Sequence, residues 1–226
     1  MLSGYTRFAV YFTPPAGSEF ARAGAAWLGW DADEGRAVAH PELGLDLALL
    51  TATPRKYGLH ATLKPPMHLN IPATTFLDAV DTLAQGLAHV DMGMLCLRPL
   101  DGFLAMVCEK QPQPLDDFAA TVVRELDPFR APLTAQQLAR RRSAGLTVRQ
   151  EQLLQDWGYP YVLEEFRFHI TLTGRLSPAQ MPDALRVAHA WFDPVLENRH
   201  RLTDLAVFGE DTDGRFHLLR RFALGG

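Results

Sequence analysis

The sequence predicts an α+β fold made of two similar halves. Three observations carry this. Each half of the chain holds a His-x-Thr strand followed by a helix and then a β-hairpin. Strand-like stretches alternate apolar and polar residues, while the helical stretches repeat near 3.6. No low-complexity linker separates the halves, so one compact unit over 1–226 is expected, with two pseudo-symmetric lobes.

The elements follow in order. Residues 7–12, RFAVYF, read as a strand closed by Pro14 and Pro15. Residues 18–29 read as a helix capped by Ser18. Residues 31–54 are mixed, with a short apolar helix or strand around LDLALL. The next strand, YGLHATLKPP, is expected to stop at its proline pair. Residues 73–90 form an amphipathic helix. Residues 92–98 and 102–109 form a hairpin over Asp101-Gly102. Residues 114–126 are helical, with Pro114 in the first turn. Residues 134–156 are helical with a break near Gly145. A second motif strand, RFHITLTG, spans 167–174, and a helix covers 178–192. Two last strands flank the turn Asp211-Thr212-Asp213-Gly214.

Composition narrows the function. The chain of 226 residues is 47% hydrophobic and 21% charged, as expected of a folded domain. A net charge of -4 argues against a broad basic face for long nucleic acid, but not against a small phosphorylated substrate. The two cysteines, Cys96 and Cys108, read as reduced core residues of a cytoplasmic protein. The first residues, MLSGYTRFAVYF, do not read as a signal peptide. No apolar run approaches the length of a membrane span.

The two motifs are Leu59-His60-Ala61-Thr62-Leu63 and Phe168-His169-Ile170-Thr171-Leu172. With 8 histidines and 15 threonines, chance alone gives roughly half a His-x-Thr tripeptide, so the tripeptide is weak by itself. Strand parity strengthens it. Alternate side chains share a face, so Gly58, His60, Thr62 and Lys64 are expected together. Arg167, His169, Thr171 and Thr173 are likewise expected on one face, with Phe166, Phe168, Ile170 and Leu172 opposite. Imidazoles titrate near neutrality, so two of them can share general base and general acid work on a phosphorus centre. Threonine hydroxyls can donate to non-bridging oxygens, and Lys64, Arg167 and Arg55 can offset phosphate charge.

Here the chain resembles the 2H phosphoesterase superfamily, known for paired His-x-Thr/Ser motifs. It is similar above all to the bacterial phosphonate-metabolism branch, the DUF1045-type cyclic phosphodiesterases. The segments that carry this are RFAVYFTPP, AAWLGWD, PRKYGLHATLKPP, LDPFRAPL, LARRRSAGLTVRQ, WGYPYVLEEFRFHITLTGRL and FHLLRRF. The resemblance implies two lobes, each an antiparallel sheet with helices outside, facing one another across a central cleft. It implies metal-independent hydrolysis of a cyclic phosphodiester on a small sugar phosphate, such as 5-phosphoribosyl 1,2-cyclic phosphate. His60, Thr62, His169 and Thr171 are the implied catalytic residues. Arg55, Tyr57, Lys64 and Arg167 are the implied substrate contacts. No metal and no cofactor are expected.

Two other functions stay open on the sequence: an RNA 2′,3′-cyclic phosphodiesterase, and a non-catalytic binder of sugar phosphates or nucleotides. Arg140-Arg141-Arg142 is either a solvated helix face or a flap reaching a phosphate. Tyr159 and Tyr161 either line the cleft or pack around Pro160, and Tyr11, on the face of Arg7, is a further cleft candidate. His68, His89, His189, His200 and His217 lack metal-ligand spacing, and Asp211–Gly214 lacks the ligand pattern of a calcium loop.

Overall fold

A computed structural model of the protein describes residues 2–226. In chain order the elements are β1 (Arg7–Phe12), α1 (Glu19–Leu28), β2 (Trp30–Asp31), β3 (Arg36–Ala37), α2 (Leu47–Leu50), β4 (Ala61–Met67) and α3 (Ala73–Gln85). They continue with β5 (Val90–Gly93), β6 (Leu95–Leu100), β7 (Phe103–Cys108), α4 (Gln113–Leu126), α5 (Ala135–Arg142) and α6 (Val148–Trp157). The last are β8 (His169–Thr171), α7 (Met181–Leu196), β9 (His200–Leu202), β10 (Asp204–Glu210) and β11 (Phe216–Ala223).

Local chemistry explains most boundaries. Ser18 accepts from the Ala21 amide at the start of α1, and Gly29 closes it at a φ of 74°. The long polar helix expected over 134–156 is two helices. Thr134 and Thr147 each head one with a reciprocal capping box, and Gly145 between them sits at a φ of 74°. In the β6–β7 turn Asp101 and Gly102 both have positive φ, as a two-residue hairpin requires.

The α+β class holds, but the two expected sheets are joined. Seven antiparallel strands run in the order β11-β10-β1-β4-β8-β7-β6. Four lie on the His60 side and three on the His169 side. They meet at a seam where β4 and β8 share a single pair, Ala61 with Ile170. The sequence repeat and the spatial halves do not coincide. Hairpin β6–β7, which follows the first motif in the chain, pairs with β8. Hairpin β10–β11, which follows the second motif, pairs through β1 to β4.

One face of the sheet is dry. Phe8, Val10, Phe12, Leu63, Ile170 and Leu172 pack there against Trp27, Phe76, Phe118 and Phe192 from α1, α3, α4 and α7. The amphipathic periodicity of those helices faces this layer. A smaller cluster, with Ala9, Tyr11, Trp30, Phe208 and Phe216, sits on the opposite face of the sheet. That face carries the cleft.

β4 does not stop at its prolines. It runs through Pro65 and Pro66 to Met67, with register shifts against β1 between Phe8 and Val10 and between Val10 and Tyr11. Proline has no amide to give the ladder, and a bulge lets the strand continue past it.

Candidate active site

The bulges decide which residues reach the cleft. Tyr11 pairs with Thr62 on the cleft face, whereas Val10, a core residue, pairs with Lys64. Thr62 and Lys64 are two apart in sequence yet lie on opposite faces, because the register slips by one residue between them. Lys64 therefore leaves the site. It is 1% exposed and donates to the Val123 carbonyl at 3.1 Å and the Asp127 carboxylate at 2.7 Å. The expectation that it contacts substrate is corrected.

Arg55 is corrected too. Its guanidinium donates to the carbonyls of Leu28 and Ala48 and to the Thr51 hydroxyl, and it meets His40 Nε2 at 3.1 Å. These bonds tie the turn before β4 to the end of α1. Arg55 does not border the cleft.

The other six expected residues do border it. His60, Thr62, His169, Thr171 and Tyr57 line a cavity of about 780 Å³. An adjoining cavity of about 470 Å³ shares Thr62 and His169 and adds Arg167. The seam explains the convergence. With Ala61 opposite Ile170 in an antiparallel pair, His60 comes across from Thr171 and Thr62 across from His169. Both histidines and both threonines thus share one face.

The two imidazoles are held in the same way. His60 Nδ1 lies 3.0 Å from the Gly58 carbonyl, and His169 Nδ1 lies 2.8 Å from the Arg167 carbonyl. A carbonyl only accepts, so in each ring Nδ1–H donates and Nε2 is left with its lone pair. Gly58 has a φ of 71°, and a Cβ there would meet the Ala32 side chain at 2.7 Å, so glycine suits the turn that aims His60.

The electrostatics are not symmetric. Burial pushes the His60 imidazole down to about 4, with the nearby His169 adding to the effect and the Gly58 bond opposing it. Tyr11 packs against His60 with ring centroids 4.1 Å apart, and Tyr57 lies at 5.5 Å. His169 has Phe103 at 5.9 Å.

Several cleft residues were not singled out from the sequence. Arg175 and Phe103 line both cavities. Extending the alternation of β8 by one step, from Thr173 to Arg175, would have found the arginine. Phe103 had no signal beyond its place after the Asp101-Gly102 turn. The arginine cluster splits. Arg140 and Arg141 face the cleft, while Arg142 pairs with Glu151 on the exposed surface. Tyr11 and Tyr159 border the larger cavity and Tyr161 the smaller.

The sequence profile of the DUF1045 family, described as a protein of unknown function, matches residues 62–217. The chain belongs to the DUF1045 family. The DUF1045 assignment implied by the resemblance is thereby borne out. Two relatives carry the name ribose 1,5-bisphosphate phosphokinase PhnN. The one from Janthinobacterium sp. (strain Marseille) is 39% identical over 180 residues, covering 77% of this chain and 40% of that protein. The one from Laribacter hongkongensis (strain HLHK9) is 35% identical over 219 residues, covering 95% of this chain and 51% of that protein. The DUF1045 chain thus spans about half or less of the length of these relatives. Among solved structures, E. coli LigT complexed with 3′-AMP aligns over 97% of this chain and 98% of that one, with 15% identity and a TM-score of 0.45. No helix among the described residues is long and apolar enough to cross a membrane.

Proposed function

We propose that this DUF1045 protein hydrolyses a cyclic phosphodiester on a small sugar phosphate, without a metal ion. The observation that carries the reading is the twin arrangement of His60 and His169. Each gives Nδ1–H to a carbonyl two residues earlier and keeps Nε2 for chemistry, and both border one cleft. Water attacks phosphorus and gives a proton to Nε2 of one histidine. The bond from phosphorus to the ring oxygen breaks, and that oxygen takes a proton from Nε2 of the other, which enters the step as the imidazolium with both ring nitrogens protonated. The product is a phosphate monoester with a free hydroxyl beside it. His60, held neutral by burial, suits the base, which leaves His169 as the acid. Thr62 and Thr171 donate to the non-bridging oxygens.

The substrate we favour is 5-phosphoribosyl 1,2-cyclic phosphate, in phosphonate breakdown. Opening its ring at the 2-oxygen yields ribose 1,5-bisphosphate, the compound in the names of the relatives. The kinase in those names belongs to proteins about twice as long, and this chain has no GxxxxGK[ST] loop of its own. Phosphorus NMR on a panel of cyclic phosphates, RNA 2′,3′-cyclic ends included, tests the reading in the presence of EDTA. Ring opening is expected to persist in the chelator. His60→Ala and His169→Ala are each expected to lower kcat by about 10²–10⁴-fold. Loss of activity in EDTA ends the metal-free mechanism, and a near-wild-type rate in either variant ends the two-histidine assignment.

A further inference from the structure

Beside His60 the cleft has a wall that ring opening alone does not require. Tyr11 is fully buried, and its hydroxyl has no hydrogen-bond partner. A buried hydroxyl is rarely left so, which points to a partner from outside the chain. The polar groups that act on it electrostatically are Tyr57, Arg7, Tyr159 and Glu210. Glu210 is already neutralised by a two-pronged pair with Arg7.

Arg141 closes this wall. Its guanidinium sits 4.9 Å from the centre of the Tyr159 ring. Three more arginines, Arg7, Arg140 and Arg130, act against its charge, although Arg7 is paired with Glu210 and Arg130 with Asp127. Burial works against its charge. A half-buried guanidinium that lines the same cleft as an orphaned hydroxyl is a place for an anion. The other side of the site differs. The adjoining cavity next to His169 sets Asp101 and Glu165 against Arg167 and Arg175, so its cations already face carboxylates across the same space.

We infer that Tyr11, Tyr57, Tyr159, Arg7 and Arg141 form a second anion subsite, which takes a phosphate monoester on the same substrate molecule whose cyclic phosphodiester lies between the histidines. This rests on the hydrolytic reading and deepens it. The substrate then carries two phosphorus groups and enters in one orientation, with its monoester on the His60 side. The near symmetry of the motifs is broken by the wall and not by the motifs.

The test uses ribose 1,2-cyclic phosphate with and without a 5-phosphate. The wild type is expected to prefer the 5-phosphorylated compound by about 100-fold in kcat/KM. Tyr11→Phe keeps the ring and removes only the hydroxyl; Arg141→Gln removes the charge. Each is expected to cut that preference by about tenfold or more. Arg142→Gln, on the same helix but outside the cleft, is expected to leave the preference intact. Calorimetric titration with ribose 5-phosphate is independent of turnover and should show binding that both cleft variants weaken about tenfold. Equal turnover of the two compounds, a preference that survives both variants, or no binding of ribose 5-phosphate overturns the subsite. If ribose 5-phosphate binds through Tyr11 and Arg141 while no ring is opened, the hydrolytic reading fails and the subsite stands.

Discussion

Each motif histidine spends one ring nitrogen on the backbone carbonyl two residues earlier and keeps the other for the cleft. The same geometry is reached from different turns: Gly58 at positive φ on one side, Arg167 on the other. At this scale the sequence was a good guide where parity held and failed where it slipped. His60, Thr62, His169 and Thr171 lie where alternation puts them. Lys64 does not, because the slip at Leu63 turns its side chain into the core. Its role is then structural. Lys64→Met removes a buried cation while Asp127 keeps Arg130 at 2.8 Å. The expected outcome is a loss of about 1–3 kcal/mol in urea unfolding. In the same variant kcat/KM should stay within about twofold, as for a side chain that touches no substrate. A large drop in kcat/KM at unchanged stability would return Lys64 to the site.

At the scale of elements, turns and caps were legible because they depend on neighbours in the chain. The Ser18 cap of α1 and the Asp101-Gly102 turn are such cases. The turn also serves the cleft. A Cβ on Gly102, whose φ is 89°, would meet Arg175 Nη1 at 2.8 Å. Gly102→Ala therefore combines backbone strain with displacement of a cleft arginine. It should lower stability by about 1–2 kcal/mol, seen as a drop of a few degrees in the thermal midpoint. An unchanged midpoint would show that the turn carries no strain. What was not legible was where each hairpin goes. Both follow their motif strand in sequence, yet each is built into the other half of the sheet. The partner strand of each hairpin lies far away in the chain, beyond the reach of the turn that forms the hairpin.

Across the whole molecule, burial of His60 ties stability to pH. The unfolded chain takes up this proton near pH 6.5, but the folded protein does so only near 4. Between those values the unfolded state binds more protons, so stability rises with pH and is lost as pH falls. His200, whose ionisation burial also lowers, acts in the same direction. Thermal unfolding of the wild type is expected to weaken as pH drops from about 6.5 to 4, and His60→Gln should flatten that slope. An equal slope in the variant would mean that His60 is not buried in its neutral form.

The sequence by itself determined the class of fold, the two motifs, the Ser18 cap and the Asp101-Gly102 turn, and which strand residues face the core as far as the register slip before Lys64. These follow from period, propensity and short-range hydrogen bonds, all properties of neighbouring residues. Only the tertiary structure decided the rest. The single Ala61–Ile170 pair brings the two motif strands together. The bulges remove Lys64 from the cleft, and α5 carries Arg141 over the Tyr159 ring in the cleft that Tyr11 also lines. Such contacts join residues far apart in the chain. They are fixed by how the packed layers close on one another, which a run of neighbouring residues does not encode.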